Sequence, residues 1–367
     1  MRITDVETHL LEVPREVEAA DSRHVFDRWY VTAIEVGTDE GHTGLGWMAS
    51  TRAGAVFEHL LDDQFVPLLA DRSPFETEAI RRDLRDHAVY YGETGMSAYP
   101  RAVIDIALWD LKAKAADVPL YRLLGGEDGR VKAYASSLDA GLSLDELRER
   151  HGRRADEGFT AFKTKVGTRR PSEEAERVAA VREAVGPGAE VFVDANQAWT
   201  VKETVEVVGA IDEHGVDWVE EPISEWNLDG HARIASRIDP PLATGEMFYR
   251  PERFRWLAER DGLDVAQPDL IRAGGVSGVL DVARVAADHH VPLCPHANHA
   301  VSAHLVSAAP TGRLVEYFTG GDLAAAILEE PPAVEDGHVH LPDRPGHGYH
   351  LDPEAVEAFA VGDGIDG

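Results

Sequence analysis

The chain has 367 residues, more than one average domain, and 44% of them are hydrophobic, which is enough for a large core. Its 66 acidic residues outnumber 36 basic ones, and the formal net charge of −30 disfavours nucleic acid and anionic membranes as partners. This acidic excess favours a surface adapted to high salt, where screening weakens self-repulsion, over an ordinary acidic protein.

The sequence contains a single cysteine, Cys294, which excludes an internal disulfide, and no apolar run long enough for a membrane helix. Residues 1–10 alternate polar and apolar side chains like a strand, unlike a signal peptide. We therefore expect a cytoplasmic protein.

The first third of the chain predicts an α+β domain. Period-two alternation predicts three strands, over Arg2–Leu11, Val31–Val36 and His42–Trp47. Helical spacing of apolar residues predicts three helices, over Gly54–Leu69, Glu76–Tyr91 and Ala98–Ala116. The polar stretch Pro14–Tyr30 is predicted to be a long loop.

From residue 126 the pattern changes to short apolar runs that alternate with helices, which predicts a parallel β/α barrel. Capping boxes at Ser143-x-x-Glu146 and Thr200-x-x-Glu203 mark two helix starts. The eight predicted strands are Lys132–Leu138, Phe159–Val166, Glu190–Asn196, Val216–Pro222, Pro241–Glu246, Leu263–Asp269, Val291–His296 and Arg313–Phe318. We expect a first domain over 1–125, a barrel over 126–320, and a segment over 321–367 that packs back on the first domain.

Ionisable side chains end seven consecutive predicted strands. In sequence order they are Lys163 and Lys165, Asp194, Glu220, Glu246, Asp269, His296 and Glu316. Charges are costly inside a barrel, and the carboxyl ends of barrel strands form the face where active sites are built. The recurrence therefore predicts an active site on that face.

Two of the six lysines in the chain, Lys163 and Lys165, stand two residues apart on one strand. This spacing places both ammonium groups on the same face, where they repel each other unless an anion lies between them. An anionic substrate is the functional interpretation, and a solvated strand end is the structural one.

Asp194, Glu220 and Glu246 are separated by 26 residues each, one βα unit, so three carboxylates meet at the same height of the barrel. Such a group needs a cation, and hard oxygen ligands with room for water and substrate favour Mg²⁺. Any one of them alone is more typical of a helix cap. Glu221 alternates to the other face of its strand and is predicted to support the ligands from behind.

Asp269 and His296 end adjacent predicted strands, so they can form a hydrogen-bonded pair that fixes the imidazole tautomer and raises its basicity. His299 completes a His-x-x-His spacing that zinc sites also use. No cysteine or third histidine is positioned to complete a zinc site, so the acid–base interpretation of His296 is favoured.

With these residues in this order, the chain resembles the mandelate racemase subgroup of the enolase superfamily. Further matching stretches are Ala102–Leu111, Leu123–Gly126, Trp218–Pro222, Gln267–Asp269, Gly274–Val276, Ser302–Leu305 and Arg313–Glu316. The resemblance covers nearly the whole chain. It implies an α/β protein with a modified TIM barrel, (β/α)7β, and an N-terminal α+β capping domain completed by the C-terminal tail.

The resemblance also implies roles for the site residues. Lys165 would be the base on one face of the substrate, and His296, oriented by Asp269, the base or acid on the other. Lys163 would polarise the substrate carboxylate and keep Lys165 less protonated, while a protonated Glu316 would hydrogen-bond an enediolate and Asn196 would touch the substrate. It further implies bound Mg²⁺, a small carboxylate substrate, and a homo-oligomer, either dimer or octamer.

The same catalytic set serves dehydration and racemisation, so the reaction stays open. No lysine follows Lys202, which disfavours the muconate cycloisomerase and dipeptide epimerase type. In this family the segment corresponding to Pro14–Tyr30 covers the site, and its Arg23 and His24 favour a polyhydroxylated acid. We therefore expect a sugar-acid dehydratase, with a racemase or epimerase of a 2-hydroxy acid as the alternative.

Other classes of function are disfavoured. A zinc hydrolase on a barrel would carry a His-x-His pair on its first strand, which here ends in Ser136-Ser137-Leu138. A non-catalytic binding protein would tolerate loss of site residues, and every expected one is present.

Overall fold

A computed structural model describes residues 1–319 and 322–361 of the chain, without the side chains of residues 16–18. Its N-terminal part is an antiparallel sheet, in the order β1-β2-β3, covered by helices. The strands are β1 (Ile3–Ala20), β2 (Val25–Thr38) and β3 (Thr43–Ser50), and the helices are α1 (Gly54–His59), α2 (Thr77–His87), α3 (Ala98–Ala115) and α4 (Leu120–Leu123).

The predicted loop over Pro14–Tyr30 is wrong. β1 and β2 continue through it as an antiparallel ribbon, paired from Pro14↔Arg28 to Ala20↔Val25 with a register shift between. Most of the described side chains of this ribbon are exposed or half-buried rather than packed in a core, so the alternation that marks a strand is missing and the polar composition concealed the strands. Side-chain contacts stabilise it instead: Arg28 on β2 pairs with Glu12 on β1, and Phe26 stacks on Trp29 along β2.

The helix predicted over Gly54–Leu69 is α-helical only in its first part. After α1 the chain forms a π-helical turn over Leu60–Phe65 and a 3₁₀ turn over Val66–Leu68. Pro67 lies in the last turn, where it has no amide hydrogen to donate and its ring crowds the carbonyl four residues earlier. Shorter 3₁₀ turns cover Pro74–Glu76, Ala88–Tyr90 and Gly95–Ser97.

Helix α3, which was predicted over Ala98–Ala116, is the central element of the N-terminal domain. It packs so closely on β3 that a Cβ added at Gly46 would lie 2.0 Å from the Val103 carbonyl oxygen. On its other side the Trp109 indole donates to Ser277 Oγ of the barrel at 2.8 Å. α3 therefore joins the two domains.

No helix in the described part of the chain is long and apolar enough to cross a bilayer.

The barrel is built from parallel strands that follow one another around the axis, each paired with the next, and β10 returns to pair with β4. Both predicted capping boxes are present, at the starts of α5 and α7. The strands are β4 (Arg130–Ser136), β5 (Ala161–Lys165), β6 (Glu190–Asp194), β7 (Trp218–Glu220), β8 (Leu242–Thr244), β9 (Val265–Ala266) and β10 (Val315–Phe318). The helices are α5 (Leu144–Asp156), α6 (Pro171–Val185), α7 (Val201–Ile211), with a 3₁₀ turn at Asp212–His214, α8 (Leu228–Ala235), α9 (Pro251–Ala258), α10 (Gly275–Asp288) and α11 (His299–Ala308).

The seventh predicted strand, Val291–His296, contributes only isolated bridges. Leu293 bridges Ala266 on one side and Gly312 on the other, and His296 bridges Asp269. Pro292 and Pro295 cannot donate to a ladder, which limits this segment to single bridges. It still occupies the seventh position of the barrel, whose interior is closed by buried side chains including Tyr134, Phe192 and Trp218.

The C-terminal segment returns to both domains. A hairpin of β11 (Ala333–Glu335) and β12 (His338–His340) pairs with β4, and α12 (Leu323–Ile327) and α13 (Pro353–Phe359) follow in the tail. Ala360 bridges Leu11 of the first sheet. The predicted boundary at residues 320–321, and residues 362–367, lie outside the described residues, and the division into 1–125, 126–320 and 321–367 stays a prediction.

Two buried histidines connect the tail to the rest of the molecule. His304 Nδ1 accepts from the Tyr121 amide at 3.2 Å, and its Nε2 donates to the His347 carbonyl at 3.1 Å. His347 Nε2 in turn donates to the Leu45 carbonyl at 2.8 Å. Burial lowers the pKa of His304 to about 3, with His347 adding to the effect.

We expect His304→Gln to reduce the pH dependence of stability. Between pH 7 and 5 the unfolded chain takes up a proton at this histidine that the folded protein does not, so the free energy of unfolding falls as pH falls. The variant lacks this group. Its free energy of unfolding should therefore be lower than that of wild type at pH 7, and this difference should shrink by about 2 kcal/mol at pH 5. Urea denaturation at fixed ionic strength measures the free energy of unfolding of both proteins. The exposed His290→Gln should keep the wild-type slope, and a His304→Gln deficit that is constant with pH would contradict the prediction.

Candidate active site

The carboxyl ends of β5, β6 and β7 bring three predicted site residues side by side. Lys165 is the register partner of Asp194, and Asp194 is the partner of Glu220. All three side chains are buried. Parallel pairing thus converts a spacing of one βα unit in sequence into direct neighbours on the rim.

Asp194, Glu220 and Glu246 form the tightest carboxylate cluster. Each offers an oxygen, and these atoms all lie within 4.8 Å of one another. Three hard oxygen donors at this separation match the ligand chemistry of Mg²⁺. The predicted metal ligands are therefore brought together.

The two lysines contact this cluster directly. Lys163 Nζ lies 2.6 Å from Glu220 Oε1 and 2.7 Å from Glu316 Oε1, and Lys165 Nζ lies 2.5 Å from Asp194 Oδ2. Burial alone would lower the pKa of Lys165, and Lys163 adds to that lowering. Asp194, together with Glu220 and Glu246, outweighs these two effects and raises the pKa. The repulsion predicted between the lysines is therefore present, but the neighbouring carboxylates outweigh it.

His296 and Asp269 form the predicted pair. His296 Nδ1 lies 2.9 Å from Asp269 Oδ2, and its Nε2 points toward Glu246 Oε2 at 3.7 Å. Burial would lower the pKa of His296, but Glu246 and Asp269 raise it to about 9. The Ile271 and Arg272 amides both donate to Asp269 Oδ1, so the carboxylate that orients the imidazole is itself held by the backbone.

Glu316 lies on the last strand and faces the same cluster. Its Oε2 accepts from the Ala297 amide at 2.9 Å. Burial opposes ionisation, but Lys163 and His296 lower the pKa of Glu316 to about 2. Lys163 thus favours the ionised form of Glu316 in this arrangement, and the role expected of a protonated Glu316 stays a prediction.

Buried negative charge exceeds buried positive charge at this rim. Burial raises the pKa of Glu220 to about 8, and Asp194, Glu316 and Glu246 add to the rise against the opposite effect of Lys163. The pKa of Glu221 is also raised, by burial and then by Glu246. Asp194 differs, since Lys165 and Lys163 lower its pKa against the effect of burial. A divalent ion would relieve the repulsion that raises the pKa of Glu220 and Glu221.

Two residues with left-handed backbone follow these strands. Glu221 has φ 40°, and β7 ends at Glu220, so the alternation used to place Glu221 on the opposite face does not apply. Its Oε1 accepts from Gln197 Nε2 at 3.1 Å, and its role as a support for the ligands stays a prediction. Asn196 has φ 43° and donates to Asp194, which leaves its buried Oδ1 without a partner among the described residues.

The ribbon β1–β2 reaches the rim through its tip. Ser22 Oγ donates to the Ala195 carbonyl at 2.7 Å, beside the end of β6. Arg23 and His24 are exposed at this tip, where their contacts are with Asp21. The structure thus places the ribbon over the barrel without bringing these two side chains to the carboxylate cluster, and their substrate-binding role stays a prediction.

Several residues that support the site had no role in the sequence-based prediction. Gln267 Nε2 and Trp218 Nε1 both donate to Glu220 Oε2, at 2.7 and 3.2 Å, and leave Oε1 to face Lys163. Asp139 accepts from the Lys165 amide at 2.8 Å, and Glu174 from three amides of residues 167–169. Gln267 could have been found, since it stands two residues before Asp269 and so shares its face of the strand.

Two family models cover most of the chain. The mandelate racemase/muconate lactonizing enzyme N-terminal domain matches residues 6–125, and the enolase C-terminal domain-like model matches residues 146–355. The chain belongs to the mandelate racemase/muconate lactonizing enzyme family. The predicted resemblance and fold class are confirmed.

Similar members of this family catalyse more than one reaction. The chain is 32% identical to a 3,6-anhydro-α-L-galactonate cycloisomerase of Streptomyces coelicolor, over 98% of this chain and 100% of that protein. It is also 32% identical to an L-talarate/galactarate dehydratase of Salmonella typhimurium, over 89% and 81%. A racemase from Streptomyces coelicolor A3(2), solved with bound magnesium, superposes with a TM-score of 0.93 at 31% identity and covers 98% and 100%.

Proposed function

We propose that this family member is a Mg²⁺-dependent dehydratase that converts an aldonic or aldaric acid to a 2-keto-3-deoxy acid through an enediolate. The observation that carries the proposal is the order of side chains around one rim. Lys165 on β5 precedes the three carboxylates on β6, β7 and after β8, and the His296–Asp269 pair follows them. A base and an acid thus flank a cluster that would hold the substrate.

Asp194, Glu220 and Glu246 would hold the metal ion. The excess of buried carboxylate supports this assignment, and the magnesium-bound relative is consistent with it. When bound, Mg²⁺ would supply Lewis-acid stabilisation of the charge that develops on the substrate carboxylate. Lys163 and Lys165 contact two of the same carboxylates, Glu220 and Asp194.

The chain's own residues would move two protons. Asp194 raises the pKa of Lys165, and this effect would weaken when Asp194 holds the ion. The neutral amine of Lys165 would then take the proton from the carbon next to the carboxylate, with Lys163 holding that carboxylate from the adjacent position. His296 would deliver a proton from Nε2 to the departing β-hydroxyl, while Asp269 fixes the ring through Nδ1. The base is kept in place by Asp139, which accepts from the Lys165 amide. The acid is kept in place through Asp269, which accepts from two backbone amides.

A hydroxylated substrate is supported by the polar lining. The buried Oδ1 of Asn196 is an acceptor without a partner among the described residues, next to the metal cluster, and a substrate hydroxyl would satisfy it. Arg23 and His24 lie on the ribbon that covers this rim, and we propose that they meet the distal end of the acid. The expected high-salt surface and cytoplasmic location, together with a dimeric or octameric state, belong to the same proposal.

An isomerase is the second candidate, because a cycloisomerase matches the chain over its full length. Racemisation uses the same enediolate and returns a proton from the opposite face. An elimination can also be an isomerisation. When the leaving oxygen belongs to a ring of the substrate, it stays attached to the product and no water is lost. Lys165 and His296 could serve each of these reactions.

Incubation with Mg²⁺ at high salt and a panel of aldonic and aldaric acids tests the proposal. Dehydration produces a 2-keto acid, which semicarbazide detects, one water lighter than its precursor. Deuterium incorporation from solvent with inversion and unchanged formula would support the isomerase instead. No 2-keto product from any member of the panel would contradict the dehydratase.

We expect Gln267→Leu to weaken Mg²⁺ binding. Gln267 is buried and its amide holds Glu220 Oε2, so removing it frees the ligand to rotate away from the cluster. Partners of metal ligands typically contribute about 10–100-fold to affinity. Isothermal titration with Mg²⁺ measures the change, and Gln64→Leu, remote from the rim, is the control. Equal affinities for Gln267→Leu and wild type would show that Trp218 alone positions Glu220.

A further inference from the structure

A second polar cavity lies between the two domains, away from the carboxylate cluster. Its volume is about 210 Å³, and it lies among α2, α3 and the segments that follow β8 and β9. Six arginines line it: Arg81, Arg82, Arg85, Arg101, Arg250 and Arg272. We call it the arginine cleft. Six of the 36 basic residues of a strongly acidic chain thus surround one cavity.

Five carboxylates also line the cleft, but most are turned away or already occupied. Glu78 and Glu252 are 79% and 68% exposed, so they face solvent. Both oxygens of Asp105 accept from Ser277, one from its amide at 2.9 Å and one from its hydroxyl at 2.6 Å. Asp281 is shared between Arg81 and Arg284, at 2.8 Å each.

Three guanidinium groups keep unused hydrogen-bonding capacity. In the described part of the chain Arg101 forms no ion pair, and donates only to the Ser97 and Glu93 carbonyls. Arg85 has a single long contact, at 3.8 Å, with Glu93, whose other oxygen is taken by Arg250. The Nε of Arg272 is buried and has no hydrogen-bond partner among the described residues.

We propose that the arginine cleft is a binding site for a compact oxyanion such as inorganic phosphate. Guanidinium groups present several donors in a fixed plane, which suits phosphate and carboxylate oxygens. The partly enclosed position between domains reduces the screening that weakens exposed pairs. An anion there would pair with the guanidinium groups that the exposed and occupied carboxylates do not neutralise.

The cleft is distinct from the active site but touches its acid–base pair. Arg272 Nη1 lies 3.5 Å from Asp269 Oδ2, the oxygen that also contacts His296. The cavity lining includes neither Asp269 nor His296. The inference therefore does not rest on the proposed reaction, and the two can fail separately.

Isothermal titration of the full chain with inorganic phosphate at constant KCl and pH 7 tests the inference. We expect saturable binding that Arg101→Gln and Arg85→Gln each weaken about tenfold, the usual loss for one charged hydrogen bond. Arg148→Gln, on the exposed face of α5, should bind like wild type. Arg85 is only half-buried, so its variant keeps the test valid if Arg101→Gln does not fold.

Acetate in place of phosphate separates the possible ligands. Tighter binding of phosphate than acetate would support a multivalent oxyanion. Equal binding of both would overturn that specificity. Absence of saturable binding to wild type, or binding that neither cleft variant weakens, would overturn the site itself.

Discussion

Replacing His296 with asparagine is expected to lower dehydration about 10²–10⁴-fold while leaving Mg²⁺ affinity unchanged. Asparagine keeps a polar side chain beside Asp269 but cannot transfer a proton from the position of Nε2. The predicted metal ligands are the three clustered carboxylates, and His296 only approaches one of them, with Nε2 3.7 Å from Glu246. The metal site should therefore remain intact. Turnover by the 2-keto acid assay and Mg²⁺ titration measure the two effects.

The control for this variant is His290→Asn. His290 is exposed and adopts a left-handed φ of 58°, a conformation that asparagine tolerates well, so its substitution should leave both measurements at wild-type values. Unchanged turnover in His296→Asn would remove His296 from the mechanism. A parallel loss of Mg²⁺ affinity would show that the imidazole contributes to the metal site.

Replacing Lys165 with methionine is expected to lower turnover and to raise the affinity for Mg²⁺. Turnover should fall about 10²–10⁴-fold, because methionine has similar length but no basic nitrogen. Mg²⁺ affinity should rise about tenfold, the scale on which one neighbouring charge shifts a buried equilibrium. The reason is geometric, since Lys165 Nζ lies 2.5 Å from Asp194 Oδ2 and competes with the ion for that oxygen.

Lys202→Met is the matched control for Lys165→Met, because Lys202 is exposed on α7. It should change neither turnover nor affinity. A lower Mg²⁺ affinity in Lys165→Met would mean that the lysine supports the carboxylate cluster rather than competing with it. Retained turnover would move the role of the base to another residue.

The convergence of the site could be predicted because a barrel has one carboxyl rim. Asp194, Glu220 and Glu246 recur at intervals of one βα unit, and parallel strands in register bring such residues to the same height. The predicted ligand cluster and the His296–Asp269 contact are both present in the structure. Neither required any knowledge of distances.

Local rules failed where their assumptions did not hold. Alternation missed the ribbon over Pro14–Tyr30, because few of its described side chains pack in a core. Alternation does not apply at Glu221 either, because β7 ends one residue before it and the backbone turns left-handed. Val291–His296 has strand-like composition, but Pro292 and Pro295 deny it a continuous ladder.

Periodicity and spacing along the chain predicted the barrel and the order of charged residues on its rim, and shared motifs indicated the family. The contacts of those charges could not be predicted without the tertiary structure. The structure placed Lys163 against Glu220 and Glu316, Lys165 against Asp194, and Gln267 against Glu220. It also assembled the arginine cleft from α2, α3 and the segments after β8 and β9. Ionisation depends on burial and on neighbours from distant elements, and no local pattern encodes either.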